Sequence, residues 1–384
     1  MMDISVFKNM SDADFFSNKL THIYFSDYVS NKSVNKLIDE INEANKETKT
    51  AAGAIIKPKP ILIHISSHGG NLTDGMRLFS VFSLSKTPIA TIVDNYSASA
   101  ATFLSINSPY RLINNFGYCL IHGYSASMSN TKQNQLRNIL DLYDTYFEKI
   151  VDIYKERTKF KHDELIELLQ HDLLLDAKFC LEKGIVDRII SVDTKKKDIE
   201  IKTNLNDIIS SPYNSITISC DNIIQKLDKI LFEENLSPVI IYPRQNNCTF
   251  KEAEDYNIND SIFETLNIIP RILHLKQPTY AIIDSPISID DLLPILYCDY
   301  IFMFDYTYIV SNILYFYNKT SLLISDNIKN TELIFGIVTQ ILKEKTKMSN
   351  KMIENIKNKF TIIDAKEAKK LGLCSNAIHQ NNYS

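Results

Sequence analysis

The residues best suited to chemistry sit at one turn, Asn95-Tyr-Ser-Ala-Ser99-Ala-Ala-Thr-Phe-Leu104. A strand is expected over Pro88–Val93 and a helix from about Ser99, which puts the Ser99 hydroxyl on a strand-to-helix turn. A helix N-terminus carries N–H groups without intrahelical acceptors and a partial positive charge. The N–H of Ala100 could therefore face a developing oxyanion. Upstream, Gly69-Gly70 closes another strand, and glycine permits unusual dihedrals and close approach. That loop could bring a second N–H to the same point. A hydroxyl beside paired N–H donors is half of an apparatus for nucleophilic acyl transfer. The other half is a base, a carboxylate that orients it, and a surface to hold a peptide.

The elements that must position these groups follow from apolar periodicity. A strand is expected at His22–Phe25. Val34, Leu37, Ile38 and Ile41 recur at helical spacing and predict a helix over Ser33–Glu43. Asn45–Lys59 is polar, with Gly53 and Pro58, and reads as a loop. Pro60–Ile65 suits a buried strand ending in Ser66-Ser-His-Gly-Gly70, and a helix is expected over Asp74–Ser85. Strands alternating with helices predict βαβ units and a mostly parallel sheet flanked by helices. Right-handed crossovers bring the strand C-termini to one edge. Sites of open α/β sheets lie there, as do the Gly-Gly loop and the turn before Ser99. A long amphipathic helix is expected over Thr131–Lys155, with Leu136, Leu140, Tyr143, Phe147, Ile150 and Tyr154 as its apolar stripe. That stripe would pack on its own domain or also meet another subunit.

Composition narrows the function classes. The chain has 384 residues, 45% hydrophobic and 23% charged, so two globular domains are expected. A net charge of −4 gives no reason to expect nucleic acid or an anionic membrane as partner. Cys119, Cys180, Cys220, Cys248, Cys298 and Cys374 form no CxxC pair, which argues against a disulfide framework or a zinc knuckle and fits a reducing, cytoplasmic setting. No metal or cofactor is expected. The amino terminus carries Asp3, Asp12 and Asp14 without a long apolar run, and the first arginine is Arg77, so neither a secretory signal nor a transit peptide is expected. No stretch approaches the ~20 apolar residues of a membrane span.

The second half echoes the first. Lys86-Thr-Pro88 and Asp94 return 190 positions later as Lys276-Gln-Pro278 and Asp284, as do Ile92, Tyr110 and Tyr118 as Ile282, Tyr300 and Tyr308. Lys155-Glu-Arg-Thr-Lys159 and Asp176-Ala-Lys178 return 188 positions later as Lys343-Glu-Lys-Thr-Lys347 and Asp364-Ala-Lys366. This order at a near-constant offset reads as a tandem duplication. The expected organisation is a first domain over 1–200, a linker over 201–235 and a second copy over 236–384. In that copy Ile289 stands for Ser99, Asn312 for His122 and Phe360 for Asp172, so the chemistry has been lost.

Ile65-Ser-Ser-His-Gly-Gly70, Ala98-Ser99 before Phe103-Leu104, and Leu120-Ile-His122 together resemble the proteolytic subunit of the Clp protease, the ClpP family. Tyr154-Lys-Glu-Arg-Thr158, Asp172 and Glu182-Lys-Gly184-Ile-Val-Asp187 are similar to that family's handle helix, catalytic Asp and following strand. The resemblance spans about His22 to Ile190. It implies tandem ClpP/crotonase-like (spiral ββα) units and a serine peptidase. By position, Ser99 is the nucleophile, His122 the general base and Asp172 its orienting carboxylate. Gly70 and Ala100, with Gly69, supply the oxyanion hole. Gly123, Tyr124 and Ser125 begin a strand, Gly123–Ser129, that would pair with the substrate. Implied partners are a peptide or unfolded protein, other chains in a homo- or hetero-oligomer, and an ATP-dependent unfoldase. The sequence departs from the family at His68, where Pro is usual, at Asn95, where Gly is usual, and at Ser125-Ala-Ser127, where a Gly-Gly pair is usual.

Other readings stand beside these. Ser97 is a rival nucleophile, though counting back from Phe103-Leu104 favours Ser99. Asp176 is a rival to Asp172, but its recurrence as Asp364 suggests a helix N-cap. His68 is a loop histidine or a substrate contact, and His64, inside a strand, suits packing better than chemistry. In place of a peptidase, the chain could be a weak or inactive ClpP-like subunit serving as an interaction scaffold. A crotonase-type hydratase or thioesterase would rely on acidic residues. A membrane-associated Ser–Lys peptidase of the signal peptide peptidase A type would need a Lys base.

Overall fold

The computed structural model describes residues 4–49, 53–123, 133–190, 205, 208, 214–218, 223–232, 237–243, 266, 268–273, 275–311 and 324–378. The chain divides into two compact units, Met1–Ser191 with Ser321–Asn330, and Val192–Thr320 with Thr331–Ser384.

In the first unit the strands are β1 (Thr21–Phe25), β2 (Thr48–Lys49), β3 (Ile55–Ile56), β4 (Ile61–Ser67), β5 (Ile89–Ala98), β6 (Arg111–Asn114), β7 (Tyr118–Leu120), β8 (Leu174–Asp176) and β9 (Arg188–Ile190). The helices are α1 (Ser5–Lys8), α2 (Asn31–Ala44), α3 (Leu72–Arg77), α4 (Thr102–Asn107), α5 (Gln133–Arg157), α6 (His162–Leu168) and α7 (Ala177–Glu182). The main sheet runs in the order β1-β4-β5-β6-β9, all parallel. Strand β7 pairs parallel with the end of β5 and antiparallel with β8.

The sheet is covered on both faces, which explains its near-continuous apolar strands. Ile61, Ile63 and Ile65 of β4 pack with Val34, Leu37 and Ile41 of α2. Leu62 of β4 points to the opposite face, among Phe7, Phe15, Ile92 and Leu112. A third cluster joins Phe103 and Ile106 of α4 to Ile150, Val151 and Tyr154 of α5. Side chains 133–140 lie outside the described residues, so the expected stripe of α5 is seen only in its second half. There Ile150 and Tyr154 are buried and Leu142 is exposed.

Some boundaries differ from expectation. The strand expected over Pro88–Val93 runs on to Ala98, because β7 continues to pair with it beyond β6. The helix expected over Asp74–Ser85 is α3 followed by a 3-10 stretch, Leu78–Leu84. The loop Asn45–Lys59 holds the small antiparallel pair β2–β3.

In the second unit the strands are β10 (Asn214–Ile218), β11 (Val239–Pro243), β12 (Thr279–Ile283), β13 (Ile287–Ser288), β14 (Tyr300–Phe304), β15 (Tyr308–Ser311), β16 (Thr361–Asp364) and β17 (Asn376–Ile378). The helices include α8 (Ile223–Phe232), α9 (Ile289–Ile295), α10 (Ile324–Lys345, its residues up to Asn330 grouping with the first unit), α11 (Asn350–Asn358) and α12 (Ala365–Leu371). The sheet order is β10-β11-β12-β14-β17, which follows the main strand order of the first unit, while β13, β15 and β16 form a separate small sheet. Segment 201–235, expected as a linker, contributes β10 and α8, and β10 pairs parallel with β11. The register repeats as well: Ser288 pairs with Val310 as Ala98 pairs with Leu120, and Tyr308 with Asp364 as Tyr118 with Asp176.

Candidate active site

Ser99 follows β5 and opens a 3-10 turn, Ser99–Ala101, that leads straight into α4. Its φ is +52°, and among the described residues it is the one non-glycine with positive φ. A β-carbon is disfavoured there, and such conformations persist only where the surroundings hold them. The bracing is visible. The Thr102 hydroxyl donates to the Ser99 carbonyl at 2.5 Å and is itself hydrogen-bonded to the hydroxyl of Tyr154 on α5. Because the Thr102 proton is used on Ser99, Tyr154 is the donor. Burial raises the Tyr154 pKa, with the Thr102 hydrogen bond opposing it, so the phenol keeps its proton.

The Gly69-Gly70 loop presses on this turn. A β-carbon on Gly69 would lie 2.5 Å from the Ala98 carbonyl oxygen, 2.7 Å from Ser99 Cβ and 2.9 Å from Ala100 N. Gly69 and Gly70 have φ of +91° and +151°. On its other side the loop is tied to the start of α2, with Val29 N–H donating to Gly69 O at 2.7 Å and Asn71 N–H to Val29 O at 2.8 Å. Gly75 of α3 lies against Ala100 and Phe103, with no room for a side chain. Gly69 thus lies against Ala98, Ser99 and Ala100, while Gly70 lies against Tyr28 and Val29. The N–H of Ala100 is among the first of its helix, where no intrahelical acceptor exists.

Register brings in the other two residues. Parallel pairing sets Ser97 beside Cys119 and Ala98 beside Leu120. Ser99 therefore leaves β5 where Ile121 and His122 leave β7. Antiparallel pairing sets Leu120 opposite Leu174. Two residues further out, the same register faces His122 with Asp172. The His122 Nδ1 to Asp172 Oδ1 distance is 2.8 Å, with both side chains about a quarter exposed. An ionised carboxylate only accepts, so Nδ1 carries the proton and Nε2 is left as the basic nitrogen. Among the described residues no hydrogen bond joins Ser99 to His122. The structure brings His122 and Asp172 into contact and sets Ser99 on the adjoining strand end.

The rival residues have other duties. Ser97 is fully buried, its hydroxyl 3.2 Å from that of Ser105 on α4. Asp176 caps α7 by accepting from Phe179 N–H at 2.7 Å, and Asp364 caps α12 in the same way. His68 packs on Tyr96, ring centroids 4.1 Å apart. His64 is buried on the far face of the sheet, bonded through Nδ1 to Asp94 at 2.9 Å and through Nε2 to His22 at 2.9 Å. Asn95 is buried and its amide has no hydrogen-bond partner. Gly123 donates its N–H to Leu169 O at 2.7 Å, so only its carbonyl is open to a substrate strand. Tyr124 and Ser125 lie outside the described residues, as does Asn312.

Two groups of residues near the site carry no signal in the sequence. Thr102 and Tyr154 read as ordinary helix residues. Asp326 and Asn330 lie over 150 residues downstream of the segment they touch: Asp326 accepts from the Asp172 N–H at 3.0 Å, and Asn330 donates to the Asp172 carbonyl at 2.8 Å.

In the second unit Ile289 opens α9, where Ser99 stands in the first, and is fully buried, while Phe360 just before β16 is 61% exposed. Neither side chain can act as nucleophile or carboxylate.

The family model for Clp protease matches residues 19–193. The chain is similar to an ATP-dependent Clp protease proteolytic subunit of Pleurastrum terricola, 26% identical over 136 residues, covering 34% of this chain and 67% of that protein. It is also similar to ATP-dependent Clp protease proteolytic subunit 1 of Chlamydia muridarum, 25% identical over 174 residues, covering 44% of this chain and 85% of that protein. Among solved structures, a ClpP1 mutant from Listeria monocytogenes aligns with a TM-score of 0.37 and 16% identity, over 46% of this chain and 94% of that one. Residues 19–193, the segment that holds Ser99, His122 and Asp172, match the Clp protease family.

Proposed function

We propose that the chain is a ClpP-like serine endopeptidase in which Ser99, His122 and Asp172 form the triad. The observation that carries the reading is the 2.8 Å His122–Asp172 pair, formed where β7 runs out beside the strand that ends at Ser99. His122 Nε2 takes the Ser99 proton as Ser99 Oγ bonds to the scissile carbonyl carbon. The oxygen of that carbonyl becomes an oxyanion between the N–H groups of Gly70 and Ala100, with Gly69 holding the loop in place. Collapse breaks the C–N bond, and His122 returns the proton to the leaving amine. Water, deprotonated by His122, then cleaves the acyl-enzyme and restores Ser99. Asp172 keeps the proton on Nδ1 throughout.

The substrate would be a peptide or unfolded protein pairing along the segment that begins at Gly123. The similarity to ATP-dependent proteolytic subunits supports assembly with further chains and an ATP-driven partner that delivers substrate, and the cysteine pattern favours a reducing compartment such as the cytoplasm. No helix among the described residues is long and apolar enough to cross a membrane. The two units are read as a duplicated domain whose second copy, near 236–384 in sequence terms, keeps the topology and has lost the triad. The reading is tested by hydrolysis of fluorogenic peptides and an unfolded protein, with the full chain alone and with a candidate unfoldase and ATP. Activity removed by Ser99→Ala, His122→Gln and Asp172→Asn is expected. Wild-type hydrolysis that these changes leave untouched would overturn it.

A further inference from the structure

Asp172 lies between α6 and β8, two residues before the first paired residue of β8, so no ladder hydrogen bond of the sheet holds its backbone. Its amide and carbonyl are taken instead by one face of α10. Asp326 Oδ2 accepts the Asp172 N–H at 3.0 Å. Asn330 Nδ2 donates to the Asp172 carbonyl at 2.8 Å, and Asn330 Oδ1 accepts the Leu174 N–H at 2.9 Å. The Asp326 carboxylate also meets His171 Nδ1 at 3.0 Å, and Glu167 lies on the other side of that ring at 3.4 Å. Asp326 and Asn330 are four residues apart, hence on one helical face. Both fall within Ser321–Asn330, the short downstream segment that groups with the first unit.

Asp326 is fully buried. Burial alone would raise its pKa, but the Asp172 N–H and His171 hold it below the ordinary carboxylate value. A buried carboxylate is costly unless its hydrogen bonds are satisfied. Here the Asp172 N–H and the His171 ring are its nearest partners, with the Ser325 hydroxyl at 3.4 Å, so the acid is turned toward the segment that carries Asp172.

We infer that Asp326 and Asn330 are positioning residues for the peptidase, holding the backbone on both sides of Asp172 so that its carboxylate stays on His122 Nδ1. This inference rests on the triad reading given above. Both residues belong to the compact unit that holds Ser99, His122 and Asp172. Displacing a catalytic group by about 1 Å can cost up to about 100-fold in rate, so three backbone bonds are a sufficient lever.

The test uses the full chain labelled with 15N-histidine. The hydrogen-bonded Nδ1 proton of His122 should give a low-field resonance, assigned by its loss in His122→Gln and shifted upfield in Asp172→Asn. Asn330→Ala is the main variant, because Asn330 is only partly buried and its removal should leave folding intact. The inference expects Asn330→Ala to move or broaden that resonance. It also expects kcat for peptide hydrolysis to fall about 10- to 100-fold with KM within about twofold, and little further loss when combined with Asp172→Asn. Asp326→Ala should act in the same direction. A folded Asn330→Ala protein with the resonance and kcat both unchanged would overturn it. A resonance that responds to Asn330→Ala in a wild-type chain that cleaves no peptide would sustain the clamp and defeat the peptidase reading instead.

Discussion

Ser99 is held in a conformation its side chain does not favour, and the cost is met by groups that have little else to do there. Gly69 illustrates the constraint. Gly69→Ala would add a β-carbon 2.5 Å from the Ala98 carbonyl at a φ of +91°. The change should lower stability by about 2 kcal/mol or more, read as a lower urea midpoint, and should displace the turn enough to abolish peptide hydrolysis. Ser97→Ala loses a buried hydroxyl pair with Ser105 and should cost about 1 kcal/mol while the turn keeps its activity. The turn itself was legible in the sequence, because a Gly-Gly pair and a small-residue run ending in Ser-Ala-Ala mark close approach. The brace beneath it was not: Thr102 and Tyr154 occupy positions where periodicity calls only for a helix residue, and their pairing depends on how α4 meets α5.

At the scale of elements, the site is a consequence of register. Extending β5 past β6 lets it pair with β7, and the antiparallel β7–β8 pair then faces His122 with Asp172. Periodicity located the strands and their parallel arrangement. It could not locate β10 and α8 in a segment whose polar composition reads as a linker, since apolar contacts made after folding decide those elements. Tyr154→Phe tests the α4–α5 brace. It removes the donor to Thr102 without changing the apolar bulk, so stability should fall by about 1 kcal/mol, while the kcat of peptide hydrolysis should fall with KM nearly unchanged. A kcat equal to wild type would show that Ser99 does not depend on this brace. The β4–β5 pair carries a second test. His64 and Asp94 are both buried, and Asp94→Ala would leave His64 Nδ1 without its carboxylate on the far face of the sheet, only the His22 contact at Nε2 remaining. Breaking a buried pair costs about 3–5 kcal/mol, so chemical denaturation should show a large loss.

At the scale of the whole molecule, two units share one topology and differ in chemistry. The second has Ile289 buried where the first has Ser99, and beside it Asp290 has its pKa pushed up to about 7, by burial first and by Asp291 second, with one carboxylate oxygen left unpartnered. A carboxyl whose pKa is raised on folding binds its proton more tightly in the native state. Stability therefore falls as pH rises from about 4 to about 7 and levels off above that. Asp290→Asn should flatten this slope and raise stability at pH 8 by an amount on the order of 2 kcal/mol, read as a higher thermal midpoint. An unchanged profile would place the carboxyl in contact with water. A chain ending at Ser191 would lack Asp326 and Asn330 as well as the second unit, and should lose peptidase activity even where it remains soluble. The proposed duplication rests on the near-constant offsets in the sequence and on the strand order the two units share. The contribution of residues 326 and 330 to the first unit could not be read from the sequence, because nothing in a helix start reveals the backbone it will meet. The most direct measurement on the full chain is reaction with a fluorophosphonate probe, followed by peptide mapping of the adduct. The account predicts a single modified residue, Ser99, with labelling abolished in Ser99→Ala and strongly slowed in His122→Gln. A full chain that takes up no probe, or that carries it on Ser97 or another serine, would contradict it.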